Sequence, residues 1–348
     1  MSTFRENFLK IVEEEHPDNC SKIIRRIFYP FSKTYGFVVK TRIFFYNKGI
    51  LKSTCLPVPV ISVGNITTGG TGKTPLVEYI ARYIQGKGKK VAILSRGYAA
   101  NLRQASGSLS KNNCNDEYLL FKENIPDIPN LLNKDRLKSG LEAINRFQAE
   151  CLVLDDGFQH LRVARDLDIV IIDALNPFGF EHMIPRGLLR EPLEGLKRAD
   201  MIILSHADQC SSDKVVFITD RLREITGDVP VIETVHKPIC LESAKDTTKL
   251  DIDCLCGKRV FAFCAIGNPA SFRKSIENLG AGIAGFRVFP DHHVYTPSEL
   301  QKLNAEAQSI KPDAIVITQK DRVKIGNNLG IWDFPLWTLK IEVRIVNG

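Results

Sequence analysis

Between Asn19 and Val77 the chain contains no aspartate and no glutamate. That window instead carries Lys22, Arg25, Arg26, Lys33, Lys40, Arg42, Lys48 and Lys52. They are interleaved with Phe28, Tyr29, Phe31, Tyr35, Phe37, Phe44, Phe45 and Tyr46. The formal net charge of +7 is therefore unevenly spread. Phe37, Val38, Thr41, Phe44, Phe45 and Lys48 fall on one helical face at i, i+3, i+4 spacing. Such a helix either lies in an anionic membrane interface or packs on its own domain with its basic face in water. Nucleic-acid binding is a third reading, but the chain supplies no recognition motif for it.

Other absences exclude whole classes. The nine cysteines are odd in number and irregular in spacing, which excludes a disulfide framework. Cys254-Leu255-Cys256 lacks the second pair that a zinc site needs. Cys151 and Cys264 sit in apolar runs and read as small core residues of a protein in a reducing compartment. No apolar run is long enough to span a bilayer, and Met1-Ser2-Thr3-Phe4-Arg5-Glu6 lacks the layout of a signal peptide. There is no internal repeat, and nothing calls for an obligate protein partner. With 348 residues, 44% hydrophobic and 25% charged, there is ample material for a core, and two domains are expected.

Against this background one segment stands out. Val60-Ile61-Ser62-Val63-Gly64 is a β-branched run, Gly69-Gly70-Thr71-Gly72-Lys73-Thr74 is a glycine-rich turn, and Leu76 to Ile84 has helical periodicity. A strand, loop and helix start of this kind presents backbone N–H groups to a polyphosphate. Lys73 is placed to reach β- and γ-phosphates, and Thr74 to offer its hydroxyl to Mg²⁺. Thr67 stands where the usual P-loop has its first glycine; the Gly69-Gly70 doublet marks a Gly-Gly-x-Gly-Lys-Thr variant. Gly69, Gly70, Thr71, Gly72, Lys73 and Thr74 are thus the expected ATP-binding residues.

The second signal is Cys151-Leu152-Val153-Leu154-Asp155-Asp156, an apolar strand ending in two acids. In a parallel sheet strand ends share one edge, so these acids reach the P-loop, where a carboxylate holds Mg²⁺. Adjacent acids repel unless a cation is near. With Thr74, Asp155 and Asp156 form the expected metal set. His160 follows closely and reads either as a structural histidine or as a substrate contact. Strands at Lys90 to Ser95, Asp168 to Asp173 and Met201 to Ser205 alternate with helices, and Ala100 to Asn115 is a polar loop. The fold class is α/β: a P-loop NTPase-like, doubly wound, mostly parallel sheet with a second, smaller α/β domain. Val229 to Ser243 reads as extended and irregular, so the domains are expected at 1–229 and 230–348.

Further motifs occur in order: Leu94-Ser95-Arg96-Gly97-Tyr98, Asn115-Asp116-Glu117, Asp155-Asp156-Gly157-Phe158-Gln159-His160, Leu189-Arg190-Glu191-Pro192, Gly257-Lys258-Arg259-Val260, Gly267-Asn268-Pro269 and Phe289-Pro290-Asp291-His292. With the Gly64-Asn65-Ile66-Thr67 lead-in, this ordered set resembles the tetraacyldisaccharide 4′-kinase family from about Tyr35 to about Lys340. The resemblance implies a bacterial lipid kinase that moves the γ-phosphate of ATP to the 4′-hydroxyl of a tetraacyldisaccharide 1-phosphate, giving lipid IVA. It implies a peripheral protein on the cytoplasmic face of the inner membrane, touching lipid through an N-terminal helix. It makes Asp116 the catalytic base and His292 its partner, and adds Arg96 and His160 as site candidates. Arg186 and Arg190 are candidates for gripping the 1-phosphate. Met183-Ile184-Pro185-Arg186-Gly187-Leu188 departs from the family's usual Pro-Ala-Gly.

The main rival is a membrane-associated ATPase or GTPase switch of the same P-loop subclass. Switches that dimerise around nucleotide place a lysine just before the glycine doublet, and Thr68 stands there instead. A soluble small-metabolite kinase leaves the basic aromatic segment unexplained. Thr318-Gln319-Lys320-Asp321 faintly resembles a guanine-reading string but lies far along the chain.

Overall fold

Apolar runs with few polar interruptions become strands buried on both faces, as parallel sheets require. In the computed structural model the described residues are Phe8, Ile11, Val12, 19–97, 116–326 and 328–347. The polar loop expected over Ala100 to Asn115 lies outside them. The chain forms two units, one of Met1–Val235 with Ile345–Gly348 and one of His236–Arg344.

The first unit opens with a long helix, α1 (Asn19–Asn47), followed by β1 (Val60–Asn65), α2 (Lys73–Gly86), β2 (Val91–Ser95), α3 (Asp116–Asn124), β3 (Asn130–Leu132), α4 (Arg136–Phe147), β4 (Cys151–Asp155), β5 (Leu167–Asp173), β6 (Met201–Ser205) and α5 (Ser212–Thr226). The strands lie in the order β6-β5-β1-β4-β2-β3, every pair parallel. The order reverses at β1, which sits between β4 and β5, and ligands of open α/β sheets bind at such a switch point. Register fixes what meets there, since Val63 of β1 pairs with Asp155 of β4. The three-residue β3 carries little sequence signal; α5 is not among the expected elements, although Ser211 at its cap and Val215, Ile218 and Leu222 on its buried face mark it as a helix.

β1 approaches the turn after β4 so closely that a side chain at Gly64 has no room. A Cβ there would lie 2.5 Å from Phe158 Cβ and 2.6 Å from its backbone nitrogen. Phe158 is fully buried and cannot yield. Gly64→Ala is therefore expected to destabilise the protein by roughly 3 kcal/mol through overpacking. Urea denaturation reads this as a lower midpoint; an unchanged midpoint refutes the close approach.

Residues expected to be irregular form instead the 13-residue strand β7 (Val231–Ser243). Its first residues pair with β6, Ile202 with Val231 and Leu204 with Glu233. Pro238 and Lys237 break the apolar alternation and hide the strand from its sequence, and backbone pairing supplies the order. The division between the two units falls within this strand.

The second unit contains the rest of β7, then β8 (Lys249–Leu250), β9 (Arg259–Cys264), α6 (Pro269–Asn278), β10 (Gly282–Val288), α7 (Pro297–Ile310), β11 (Ala314–Thr318), α8 (Gln319–Ile325) and β12 (Leu336–Asn347) up to Arg344, the strand's last residues counting with the first unit. β10, β9, β11 and β12 are parallel neighbours. Its core is aromatic, with Phe263 stacked on Trp332 at 5.5 Å and meeting Tyr295 edge-on at 5.6 Å.

Candidate active site

The loop after β1 is shaped by glycines and by one buried asparagine. Gly69 and Gly72 have φ of 128° and 85°, which L side chains disfavour. Asn65 is fully buried, and its Nδ2 donates to Thr67 O (2.8 Å) and Thr71 Oγ1 (3.1 Å). Ser205 Oγ, from the end of β6, donates to Thr71 O (3.0 Å). From the other side Thr68 N donates to Leu188 O (2.8 Å) and Arg190 N to Ile66 O (2.7 Å).

Helix α2 starts differently from its neighbours. Asp135, Ser211, Asn268, Thr296 and Thr318 each cap a helix start with a side-chain oxygen. Gly72 gives α2 no such cap, and its first turn holds no acid. The orphan N–H groups and the positive end of the helix dipole remain for an anion. Lys73 opens this helix, and Thr71 and Thr74 are buried beside it.

The two acids after β4 are not equivalent. Asp156 adopts φ 54°, a left-handed conformation uncommon outside glycine. Arg190 grips its carboxylate with both terminal nitrogens (2.9 and 2.7 Å), and Lys73 Nζ lies 3.6 Å from Oδ1. Burial opposes the charge, but Arg190 and Lys73 together hold the Asp156 carboxyl well below the usual carboxylate range. The same Arg190 Nη2 donates to Asn65 Oδ1 (2.6 Å), so one guanidinium ties the loop-shaping asparagine to Asp156. Asp155 is buried, and its Oδ1 has no hydrogen-bond partner. Burial, then Glu117 and Asp156, push its carboxyl up to about 7, against Lys73 and Arg136. A buried carboxylate with an orphaned oxygen beside a second acid has the chemistry to take a cation. The all-oxygen set Thr74, Asp155 and Asp156 fits Mg²⁺.

A cleft of about 380 Å³ opens here, lined by Tyr35, Arg42 and Ile43 of α1, Arg96, Lys134, Arg136, Asp156, Gln159, His160, Arg190 and Glu191 among others. It gathers Arg96, His160, Asp156 and Arg190, all expected from the sequence. Arg42, Lys134, Arg136 and Gln159 were not singled out as site residues. Arg136 is buried at the first position of α4, where the sequence signals only a helix start after Asp135. Burial lowers its pKa to about 10 although Asp155 and Asp156 favour its charge. Gln159 Nε2 donates to Asn65 O (2.8 Å). Burial, then Arg136, Arg165 and Arg42, push His160 down to about 4, so it is neutral at pH 7, and its Nε2 has no hydrogen-bond partner.

Besides the phosphate loop and Asp155, the expected residues Arg186, Asp116 and His292 are not part of this lining. Arg186 lines a separate cleft with Lys22, Arg25, Arg26, Tyr29 and His182. Asp116 is buried at the first position of α3, in the first unit. His292, in the second unit, is exposed with φ 62°, and its Nε2 lies 3.9 Å from Asp291 Oδ2. The Thr318-Gln319-Lys320-Asp321 string is a helix start. Asp321 is fully buried and accepts from Tyr295 Oη (2.8 Å), Ala265 N (2.9 Å) and Thr318 Oγ1, which leaves it no base to read.

Helix α1 exposes large apolar side chains, with Phe37 at 72%, Phe31 at 61% and Phe44 at 51%. Among the described residues no helix is long and apolar enough to cross a membrane.

The family model for tetraacyldisaccharide-1-P 4′-kinase matches residues 24–348. The tetraacyldisaccharide 4′-kinase of Syntrophus aciditrophicus is 36% identical, across 98% of this chain and 95% of that protein. The one from Anaeromyxobacter sp. (strain K) is 39% identical across 87% and 82%. A crystal structure of LpxK from Aquifex aeolicus in complex with ATP matches at TM-score 0.68 and 32% identity, covering 91% of this chain and 93% of that one. The chain belongs to the tetraacyldisaccharide 4′-kinase family, the kinases of lipid A biosynthesis.

Proposed function

We propose that the protein transfers the γ-phosphoryl group of ATP to the 4′-hydroxyl of a tetraacyldisaccharide 1-phosphate, giving lipid IVA, as a peripheral protein on the cytoplasmic face of the bacterial inner membrane. The observation that carries this is the uncapped start of α2 beside two acids, one gripped by Arg190 and one buried with an unbonded oxygen, with a cleft lined by arginines and lysine and walled by α1. The exposed aromatics of α1, set among lysines and arginines without an acid, support its seat in an anionic interface.

In this reading the loop N–H groups and Lys73 bind the β- and γ-phosphates and offset the charge that develops on the transferring group. Thr74, Asp155 and Asp156 would hold Mg²⁺, which would supply charge neutralisation for the polyphosphate. Asp116 accepts the proton of the acceptor hydroxyl as its oxygen attacks the γ-phosphorus, and His292 assists it. The bond from the γ-phosphorus to the bridging oxygen breaks and ADP leaves. Arg42, Arg96, Lys134 and Arg136 give the cleft the positive charge that a phosphorylated acceptor needs. Neutral His160 suits a contact to the sugar.

Incubation with labelled ATP, Mg²⁺ and the tetraacyldisaccharide 1-phosphate in detergent tests this: label should enter the lipid. ATP hydrolysis without transfer overturns the reading.

Arg190 gives a narrower check. Arg190→Ala unpins both Asn65 and Asp156 and removes charge-assisted hydrogen bonds each worth about 1.5–3 kcal/mol. The Kd for ATP, read by calorimetry, should rise on the order of tenfold or more. An unchanged Kd shows that the loop holds its shape without that guanidinium.

A further inference from the structure

The second basic cleft, about 370 Å³ and lined by Lys22, Arg25, Arg26, Tyr29, His182 and Arg186, takes no part in the reaction derived above. Four of its six residues come from the first half of α1, and no acid lines it among the described residues. Arg25 is only 8% exposed; its Nε donates to Ile11 O, while Nη2 has no hydrogen-bond partner. A buried guanidinium nitrogen without an acceptor is costly unless an anion supplies one. The cleft's other wall is held to α1, because Ser32 Oγ donates to Met183 O (2.8 Å) and Tyr29 meets the His182 ring edge-on at 6.4 Å.

Directly beside this basic row runs an apolar one. Ile23, Ile27 and Phe31 follow at i, i+4, i+8 and are 59%, 54% and 61% exposed. Lys22 and Arg26 follow the same spacing one residue earlier, so the two rows lie side by side along the helix. A free anion has no use for the apolar row, and a protein surface has no reason to bring phosphate-like charge. A lipid brings both, with acyl chains for Ile23, Ile27 and Phe31 and a headgroup for the cations.

We propose that this cleft binds the phosphate of an anionic glycerophospholipid such as phosphatidylglycerol, and so seats α1 at a defined depth and rotation. The proposal rests on reading α1 as an interfacial helix.

Flotation of the full chain with phosphatidylcholine vesicles, with and without phosphatidylglycerol, tests it. Two variants each remove two exposed charges from α1 or the residue that follows it: Lys22→Gln/Arg26→Gln at the cleft and Lys40→Gln/Lys48→Gln away from it. General attraction to an anionic surface falls equally in both. A discrete site makes the cleft variant lose on the order of tenfold more affinity for phosphatidylglycerol vesicles than the other, because charge-assisted hydrogen bonds go too. Unchanged ATP affinity confirms that both variants are folded. Equal losses overturn the site, as does equal binding of the wild type to vesicles with and without phosphatidylglycerol. Displacement by millimolar inorganic phosphate without displacement by salt of equal ionic strength overturns the lipid assignment in favour of a free-anion site. No flotation with any vesicle overturns the interfacial reading of α1, and the site with it.

Discussion

Asp155→Asn should lower phosphoryl transfer by roughly 10³-fold, the several kcal/mol that metal-held charge neutralisation supplies, and yet make the metal-free protein more resistant to unfolding. Both effects have one origin. Asp155 is buried next to Asp156, with an oxygen that no donor reaches. Without a cation its carboxylate opposes folding, and in the proposed reaction the same carboxylate helps to hold Mg²⁺. The pH dependence gives the sign. Its pKa rises from 3.8 to about 7 on folding, so between these values the folded state binds more protons and wild-type stability falls as pH rises. The advantage of the asparagine variant in the presence of a chelator should grow from about pH 4 to about pH 7 and then level off. Its ceiling is on the order of 4 kcal/mol for a shift of this size. Urea denaturation at pH 5 and pH 8 measures it. An advantage that is the same at both, or reversed, refutes the desolvated carboxylate.

Asp116→Ala should reduce kcat by about 10²- to 10⁴-fold, the usual contribution of a positioned general base, while the Kd for ATP stays where it was. Asp116 touches the acceptor's proton in the proposed reaction and has no assigned part in holding the nucleotide. Single-turnover kinetics alongside nucleotide titration separates the two. Turnover near wild type removes Asp116 from the role of base, and a matching loss of ATP affinity makes it part of the nucleotide site instead.

Much of the nucleotide end of the site was legible because its chemistry is contiguous in sequence. Gly69 to Thr74 leads from the end of β1 into α2, Asp155-Asp156 closes β4, and parallel topology brings the strand ends together. What stayed hidden depends on residues that meet only after folding. Arg136 reads as an ordinary first residue of a capped helix; only the return of β4 to a place between β1 and β2 sets it against Asp155 O, 3.3 Å away. Arg190 could be singled out but not its partners, since Asn65 and Asp156 are 125 and 34 residues away. The unequal ionisation of Asp155 and Asp156 could not be read from two identical letters; the left-handed backbone at Asp156 turns one toward Arg190 and leaves the other in the core. β7 was missed because Lys237 and Pro238 interrupt its alternation, and backbone pairing does not register in side-chain pattern.

The segment between Met183 and Arg190 touches α1 and the phosphate loop at once. Ser32 and Tyr35 of α1 donate to the carbonyls of Met183 (2.8 Å) and Arg190 (3.1 Å), and Leu188 O and Arg190 N bond the loop backbone at Thr68 and Ile66. A shortened protein that lacks α1 therefore loses more than the membrane seat proposed for that helix. It also loses two struts beneath the cradle that receives the nucleotide, so its poor turnover in detergent, where no bilayer is at stake, would report a slackened cradle.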